Sequence, residues 1–113
     1  MNQSYHQMVY IASPFADDPE RNTARARRYC RFATLAGFLP IAPHLLFPQF
    51  LDESCADERN IGLNCGLALL EKCSEVWVFG NRISSGMAAE IEKARHRNMI
   101  IRYFTTECTE VLA

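Results

Sequence analysis

Four short apolar runs alternate with longer stretches of mixed polarity along the chain. The runs cover residues 8–12, 38–42, 75–79 and 99–103. Continuous apolar runs of this length are typical of strands that are buried on both faces of a parallel sheet. Pro40 has no N–H group to donate to a neighbouring strand, so the second strand is expected at an edge of the sheet.

The stretches between the strands predict three helices. Asp18 precedes the first helix and can cap its free N–H groups, and Pro19 suits the first helical position. Gly37 follows the predicted end of this helix. The third helix is predicted to begin after a capping Ser84 or Ser85 and to run to about residue 97.

The second helix is predicted over residues 57–73, with Ser54 as its candidate cap. One apolar face of this helix is predicted to contain Ile61, Cys65, Ala68 and Leu69. The preceding loop, residues 43–56, is unusually apolar, and its large apolar residues are Leu45, Leu46, Phe47 and Phe50. These residues form either a lid over a ligand or a contact in a homo-oligomer, with a homodimer as the minimum.

The strict alternation of strands and helices predicts an α/β domain with parallel strands and helices on both faces of the sheet. The predicted single domain spans residues 1–113, with its core at about 8–104. Such sheets bind ligands outside the carboxyl ends of their strands. The loops that follow Ala12, Ala42 and Phe79 are therefore the candidate ligand loops.

Charge and cysteine content exclude several classes of partner and site. The formal net charge of −1 predicts no general attraction to nucleic acid or to an anionic membrane, and we interpret the five arginines of the first helix as a solvated face. The five irregularly spaced cysteines argue against a disulfide framework or a zinc site and favour reduced thiols in the cytoplasm. The start of the chain lacks a signal-peptide pattern, and no apolar stretch is long enough to span a membrane.

Glu90 is the first candidate for chemistry because of its position on the third helix. At about 100° per residue, one side of this helix carries a predicted buried stripe of Met87, Ile91, Ala94 and Asn98. Glu90 falls at the edge of this stripe, whereas Glu92 points away from it. A carboxylate at the border of the core could act as a nucleophile or a base. The alternative is a surface glutamate that the helix dipole favours.

The start of the same helix, Ser84-Ser85-Gly86, is a candidate cradle for an anion or a hydroxyl group, or else an ordinary capping turn. The glycine patterns of a P-loop and of a dinucleotide-binding loop are both missing from the chain. Tyr10 either reaches the ligand crevice with its hydroxyl or packs in the core. His44 either hydrogen-bonds a ligand or has a structural role.

Three sequence motifs together resemble the nucleoside 2-deoxyribosyltransferase-like superfamily. They are YIASPF at the first strand, EVWVFG at the third strand, and SSGMAAEIEKA. Two further stretches, PIAPHLLFPQFLDE and ERNIGLNCG, resemble a small, often phage- or prophage-borne branch of that superfamily. The resemblance covers about residues 8–104.

The resemblance implies a doubly wound, flavodoxin- or Rossmann-like three-layer sandwich with a mostly parallel sheet of four to five strands. It also implies that Glu90 attacks the anomeric carbon of a nucleoside while Tyr10 holds Glu90, and that Ser13 and Gly86 line a sugar or phosphate pocket. Two acidic residues of the transferases are replaced. Ser84 stands six residues before Glu90, and Gly66 falls near the position of an aspartate on the preceding helix.

We therefore predict an N-glycosidase or deoxyribosyltransferase-like enzyme that acts on a nucleoside, a nucleotide or a related N-glycoside. The alternative is a non-catalytic nucleotide-binding protein that senses or sequesters a nucleotide-type signal. Glu90 and Tyr10 are the predicted catalytic residues, and neither a metal nor a cofactor is expected. The predicted substrate-binding residues are Ser13, Pro14, Phe15, His44, Phe47, Asp52, Glu58, Gly80, Arg82, Ser84, Ser85, Gly86 and Met87.

Overall fold

The four predicted strands form, and a short fifth strand joins them. The computed structural model describes residues 6–112. The strands are β1 (Met8–Ala12), β2 (Leu39–Ile41), β3 (Glu75–Phe79), β4 (Ile100–Phe104) and β5 (Glu110–Val111). The prediction that the chain starts without a signal peptide concerns residues 1–5 above all, which lie outside the described residues.

The sheet has the strand order β2-β1-β3-β4-β5, in which the first four strands are parallel and β5 is antiparallel to β4. Pro40 lies in the edge strand β2, as its missing N–H group predicts. This order is that of a doubly wound, flavodoxin-like sheet apart from the direction of β5, so the predicted fold class is confirmed. The strand order reverses between β1 and β3, the point at which such folds bind ligands.

Three helices cover the sheet: α1 (Pro19–Leu35), α2 (Ala56–Leu70) and α3 (Ser85–His96). Two predicted caps are confirmed, because the Asp18 side chain accepts from the Arg21 N–H group and the Ser84 hydroxyl accepts from the Met87 N–H group. The core forms two layers. On the α1 side of the sheet, buried residues include Val9, Ile11, Tyr29, Ala33, Trp77 and Phe79. On the α2 and α3 side, they include Tyr10, Leu70, Val76, Val78, Met87 and Ile91.

The predicted cap and the predicted buried face of α2 are both wrong, and the helix ends at Leu70 rather than at Cys73. Cys55 precedes the helix without a capping side-chain hydrogen bond, and the Ser54 hydroxyl instead donates to Asp52 at 2.6 Å. The buried residues of α2 are Gly66 and Leu70, whereas Ile61, Cys65 and Ala68 are exposed. Because α2 is apolar around much of its circumference, the periodicity of its sequence does not select the face that packs.

Two expectations about the end of the chain also change. Asn98 does not extend the buried stripe of α3, because it lies beyond the helix with a φ of 56° and is exposed. The tail forms β5 rather than a short helix or a frayed end. The Arg102 guanidinium holds β5 against β4 through two hydrogen bonds to the Glu110 carboxylate, at 2.8 and 2.9 Å.

Removing the cap of α1 is expected to destabilise the fold. Asp18→Ala deletes the hydrogen bond to the Arg21 N–H group and should lower the free energy of unfolding by about 1 kcal/mol. Urea unfolding, followed by circular dichroism, measures this change. Arg27→Ala, at an exposed position within the same helix, is the control and should change it by less than about 0.5 kcal/mol. Equal stability of Asp18→Ala and the wild type would contradict the capping role.

Candidate active site

A cavity of about 490 Å³ opens where the strand order reverses between β1 and β3. Tyr10 of β1 and Glu90 of α3 lie in its wall, together with the start of α3. The turn that leads from β3 toward α3 begins at Gly80, whose φ of 106° is a conformation that other residues rarely adopt. The volume is in the range of small-molecule sites, roughly 300–1,000 Å³.

The Tyr10 hydroxyl donates a hydrogen bond of 2.5 Å to Oε2 of Glu90. The other carboxylate oxygen, Oε1, is buried and has no hydrogen-bond partner within residues 6–112. Burial raises the pKa of Glu90 to about 7, although the Tyr10 hydrogen bond lowers it in part. Burial and the adjacent carboxylate also raise the pKa of Tyr10, so its hydroxyl stays protonated and remains a donor.

The start of α3 borders the cavity beside Glu90. Ser84, Ser85 and Gly86 all line it. The Ser84 hydroxyl accepts from the Met87 N–H group at 3.2 Å, which satisfies one of the free amides of the first turn. The unpaired N–H groups of a helix start attract anions and hydroxyl oxygens, so this edge of the cavity is polar and locally positive.

The loop after β1 is fixed by His44, which comes from the short 3₁₀ turn Pro43–Leu45. Nε2 of His44 lies 3.0 Å from the Ser13 carbonyl oxygen, and its ring stacks on Phe15 with the ring centroids 4.8 Å apart. Burial lowers the pKa of His44, which favours the neutral ring. The Ser13 hydroxyl is buried without a hydrogen-bond partner in the described part of the chain.

An ion pair joins the loops after β1 and β3 across the cavity. The Arg82 guanidinium binds the Asp17 carboxylate, which also accepts a hydrogen bond of 2.9 Å from the Asn22 side chain. The pKa of Asp17 lies below its ordinary value because of the hydrogen bond from Arg82. Both charged residues line the cavity.

Most of the predicted site residues lie together in this cavity. They are Tyr10, Ser13, Phe15, His44, Phe47, Arg82, Ser84, Ser85, Gly86, Met87 and Glu90. Their roles in binding or catalysis stay predictions.

The structure does not bring four predicted residues into the cavity wall. Pro14 and Gly80 instead border a separate space of about 50 Å³ on the α1 side of the loop. Asp52 and Glu58 stabilise the loop before α2, because the Asp52 N–H group donates to Glu58 at 2.8 Å and the Ser54 N–H group donates to Asp52 at 2.9 Å. These local hydrogen bonds hold the two side chains at the loop, outside the cavity wall.

The cavity wall also contains residues outside the predicted substrate-binding set. They are Ala16, Asp17, Pro43, Pro48, Glu53, Arg59, Gly62, Leu63 and Gly66. Gly62 and Gly66 lie four residues apart on one face of α2, a spacing that permits close packing against a neighbour. A Cβ atom on Gly66 would lie 3.4 Å from the Tyr10 hydroxyl oxygen and 3.5 Å from Pro43, so α2 approaches the Tyr10–Glu90 pair closely at this glycine.

Residues 7–104 match the family model described as "Domain of unknown function (DUF7768)". The chain belongs to this family. No curated protein matches the sequence. Among solved structures, a 2-deoxyribosyltransferase from the psychrotolerant bacterium Bacillus psychrosaccharolyticus is similar, with a TM-score of 0.66 and 16% sequence identity. The match covers 94% of this chain and 77% of that one, and it shows that the two share a fold.

Neither a metal-binding cluster nor a membrane-spanning helix is found within residues 6–112. Within residues 6–112, no three His, Cys, Asp or Glu side chains are close enough to hold a metal ion. None of the helices in this part of the chain combines the length and apolarity needed to cross a membrane.

Glu90→Gln is expected to change how stability depends on pH. Because the pKa of Glu90 is raised to about 7 in the folded chain, the folded state binds more protons than the unfolded state between the two pKa values. As pH rises from about 5 to about 8, this group should therefore lower the free energy of unfolding, by a few kcal/mol. The Glu90→Gln side chain cannot ionise, so the free energy of unfolding of this variant should fall less as pH rises.

Thermal unfolding of both proteins between pH 5 and pH 8 measures the difference. Glu92→Gln is the matched control, because Glu92 is exposed on the same helix and should leave the pH dependence as it is in the wild type. Parallel curves for the wild type and Glu90→Gln would contradict the buried, pKa-shifted carboxyl group.

Proposed function

We propose that this protein cleaves the N-glycosidic bond of a nucleoside, a nucleotide or a related N-glycoside, with Glu90 as the nucleophile. One observation carries this proposal. Tyr10 binds one oxygen of the Glu90 carboxylate, and the other oxygen is buried and unpartnered at a cavity of small-molecule size. The likeness in fold to a 2-deoxyribosyltransferase supports the same class of chemistry.

The reaction has two steps. Oε1 of Glu90 bonds to the anomeric carbon, the bond from that carbon to the base nitrogen breaks, and the leaving base takes the electron pair. The sugar is then held as a glycosyl ester on Glu90. Water or a second base next attacks the anomeric carbon and releases the carboxylate, which gives hydrolysis or transfer with retained configuration.

Tyr10 orients the nucleophile in this scheme. Its hydrogen bond holds Oε2 in place and leaves Oε1 available to bond to a ligand. The bond also favours the ionised carboxylate against the effect of burial. A pKa of about 7 leaves a substantial nucleophilic fraction at neutral pH.

The lining of the cavity contains groups that suit both halves of a nucleoside. Phe15, Pro43, Phe47 and Leu63 provide flat or apolar surface against which a base can pack. The start of α3 provides N–H groups and serine hydroxyls for a sugar hydroxyl or a phosphate. Aromatic surface beside a polar helix start therefore favours a nucleoside or nucleotide.

A nucleotide-binding protein without turnover is the second candidate. Gly66 lies against the Tyr10 hydroxyl, and Ser84 caps α3, at the two places where the resemblance led us to expect acidic residues. Without a carboxylic acid at these positions, the chain has fewer groups to protonate a leaving base. This observation favours ligand binding alone.

We also propose that the chain forms a homodimer in the cytoplasm. Leu46, Phe50 and Leu63, on the loop and on α2, are each 46–64% exposed, which is unusual for large apolar side chains. The loop and α2 adjoin, since a Cβ atom on Gly62 would contact Leu51 at 3.3 Å. A second copy covering this apolar surface would also shield the edge of the cavity that Leu63 lines. The free cysteines support the cytoplasmic location.

Release of free base from nucleosides tests the enzymatic proposal. The substrates are 2′-deoxyadenosine, 2′-deoxycytidine, thymidine, their ribo forms and their 5′-monophosphates, with base measured by chromatography. Glu90→Gln should lower the rate of release at least about a thousandfold, and Tyr10→Phe about 10- to 100-fold. Glu92→Gln should match the wild type. Substrates that raise the melting temperature but are never cleaved would favour the binding protein.

Light scattering after size-exclusion chromatography tests the dimer. The wild type should elute as a dimer, and Phe50→Asp as a monomer, because a charge in the apolar contact is costly to bury. Leu35→Asp is the control, since Leu35 is 72% exposed but lies on α1, away from this surface. A wild type that remains monomeric at the highest soluble concentration would contradict the proposal.

A further inference from the structure

His44 has one ring nitrogen bound and one free. Nε2 lies 3.0 Å from the Ser13 carbonyl oxygen, and because a carbonyl oxygen only accepts, Nε2 carries the proton. In the neutral ring, Nδ1 therefore keeps its lone pair. Within residues 6–112, Nδ1 has no hydrogen-bond partner. Nδ1 of His44 is thus a basic nitrogen that makes no hydrogen bond to the described part of the chain.

The ring is also held in place and kept neutral. The stack on Phe15, with 12° between the ring planes, fixes the orientation of the imidazole, and the Ser13 hydrogen bond fixes its rotation. Burial lowers the pKa of His44 and so favours the unprotonated Nδ1 at neutral pH. A base that is positioned before the substrate arrives loses little entropy in the reaction.

The turn that carries His44 lies beside the Tyr10–Glu90 pair. The position of a Cβ atom on Gly66 is 3.4 Å from the Tyr10 hydroxyl oxygen and 3.5 Å from Pro43, so both groups lie against the same point. Pro43 immediately precedes His44, and both line the cavity that Glu90 lines. The absence of a side chain at Gly66 lets α2 approach both groups closely at this point.

We propose that His44 is the general base of the second half-reaction, taking a proton from the water or the acceptor base that attacks the glycosyl ester of Glu90. This inference rests on the proposed function. In this step, the water oxygen bonds to the anomeric carbon, and the bond from that carbon to Oε1 breaks. The electron pair of that bond returns to the carboxylate, and the water proton moves to Nδ1.

The protons gained and lost in the two steps are then equal. The base departs in the first step with the electron pair of the glycosidic bond and needs one proton. The imidazolium formed in the second step gives up one proton, either to that base or to solvent, and returns to the neutral ring. Tyr10 does not serve as this base, because its hydroxyl donates to Glu90 and stays protonated.

His44→Gln separates the hydrogen bond that the ring donates to Ser13 from its proposed role as a general base. The amide N–H group of glutamine can reach the Ser13 carbonyl oxygen in place of Nε2, but the side chain has no basic nitrogen. With the 2′-deoxynucleosides and 5′-monophosphates used for the wild type, the first burst of free base should keep its rate. Steady-state release should fall about 100-fold, and the glycosyl ester on Glu90 should accumulate and be visible in the intact mass.

Sodium azide provides the decisive readout, because azide attacks carbon without losing a proton and needs no general base. It should restore the turnover of His44→Gln and yield a glycosyl azide. Steady-state release equal to the wild type, or a slow rate that azide does not restore, would overturn the proposal. Loss of the burst itself would also overturn it, since His44 would then only position the Ser13 loop.

Glu53→Gln tests the rival base, because Glu53 lines the same cavity and carries a carboxylate that could accept the proton. His96→Gln is the matched control, because His96 is exposed at the end of α3 and does not line the cavity, and it should behave as the wild type. Ester accumulation and azide rescue in Glu53→Gln, and not in His44→Gln, would overturn the proposal by assigning the base to Glu53. If the wild type cleaves none of these substrates, the proposed function itself is overturned. If the wild type is active and His44→Gln has the same activity, only the role of His44 is overturned.

Discussion

The hydrogen bond from the Tyr10 hydroxyl to Glu90 connects the core of this domain to its candidate active site. A buried carboxyl group is costly, and burial alone favours its neutral form. The phenol satisfies Oε2 and favours ionisation, while Oε1 stays unpartnered within residues 6–112. A ligand atom that bonds to Oε1 would complete the site, so the unsatisfied oxygen and the proposed nucleophile are the same atom.

The fold makes this pair of residues possible. β1 and β3 are neighbours at the point where the strand order reverses, with Tyr10 opposite Val76. β3 leads through Gly80 into α3, so the start of that helix meets the end of β1. A chain of 113 residues has a small core, and Tyr10 and Met87 belong both to that core and to the cavity wall. A change at either residue is therefore expected to affect stability and ligand binding together.

Local patterns in the sequence predicted most of the fold and the position of Glu90, the proposed nucleophile. Apolar runs predicted β1 to β4, Asp18 and Ser84 predicted two helix caps, and helical phase placed Glu90 at the border of the core. The apolar periodicity of α2 predicted the wrong face, because α2 packs through the close approach of Gly66 to Tyr10 and Pro43. β5 was missed because it depends on an ion pair between Arg102 and Glu110, which no local pattern reveals. Similarly, Glu53 reaches the cavity only through the path of the 43–56 loop. The assignment to a phage- or prophage-borne branch stays a prediction.

The most direct test of the account is to trap the sugar on the protein. A nucleoside with fluorine at the 2′ carbon destabilises the positive charge that develops at the anomeric carbon, so a glycosyl ester persists once it has formed. Mass spectrometry of the intact and digested protein should find one fluorosugar per chain on the peptide that contains Glu90, with one equivalent of base released, and no label in Glu90→Gln. Base release without a label on Glu90, or full activity of Glu90→Gln, would contradict the central claim.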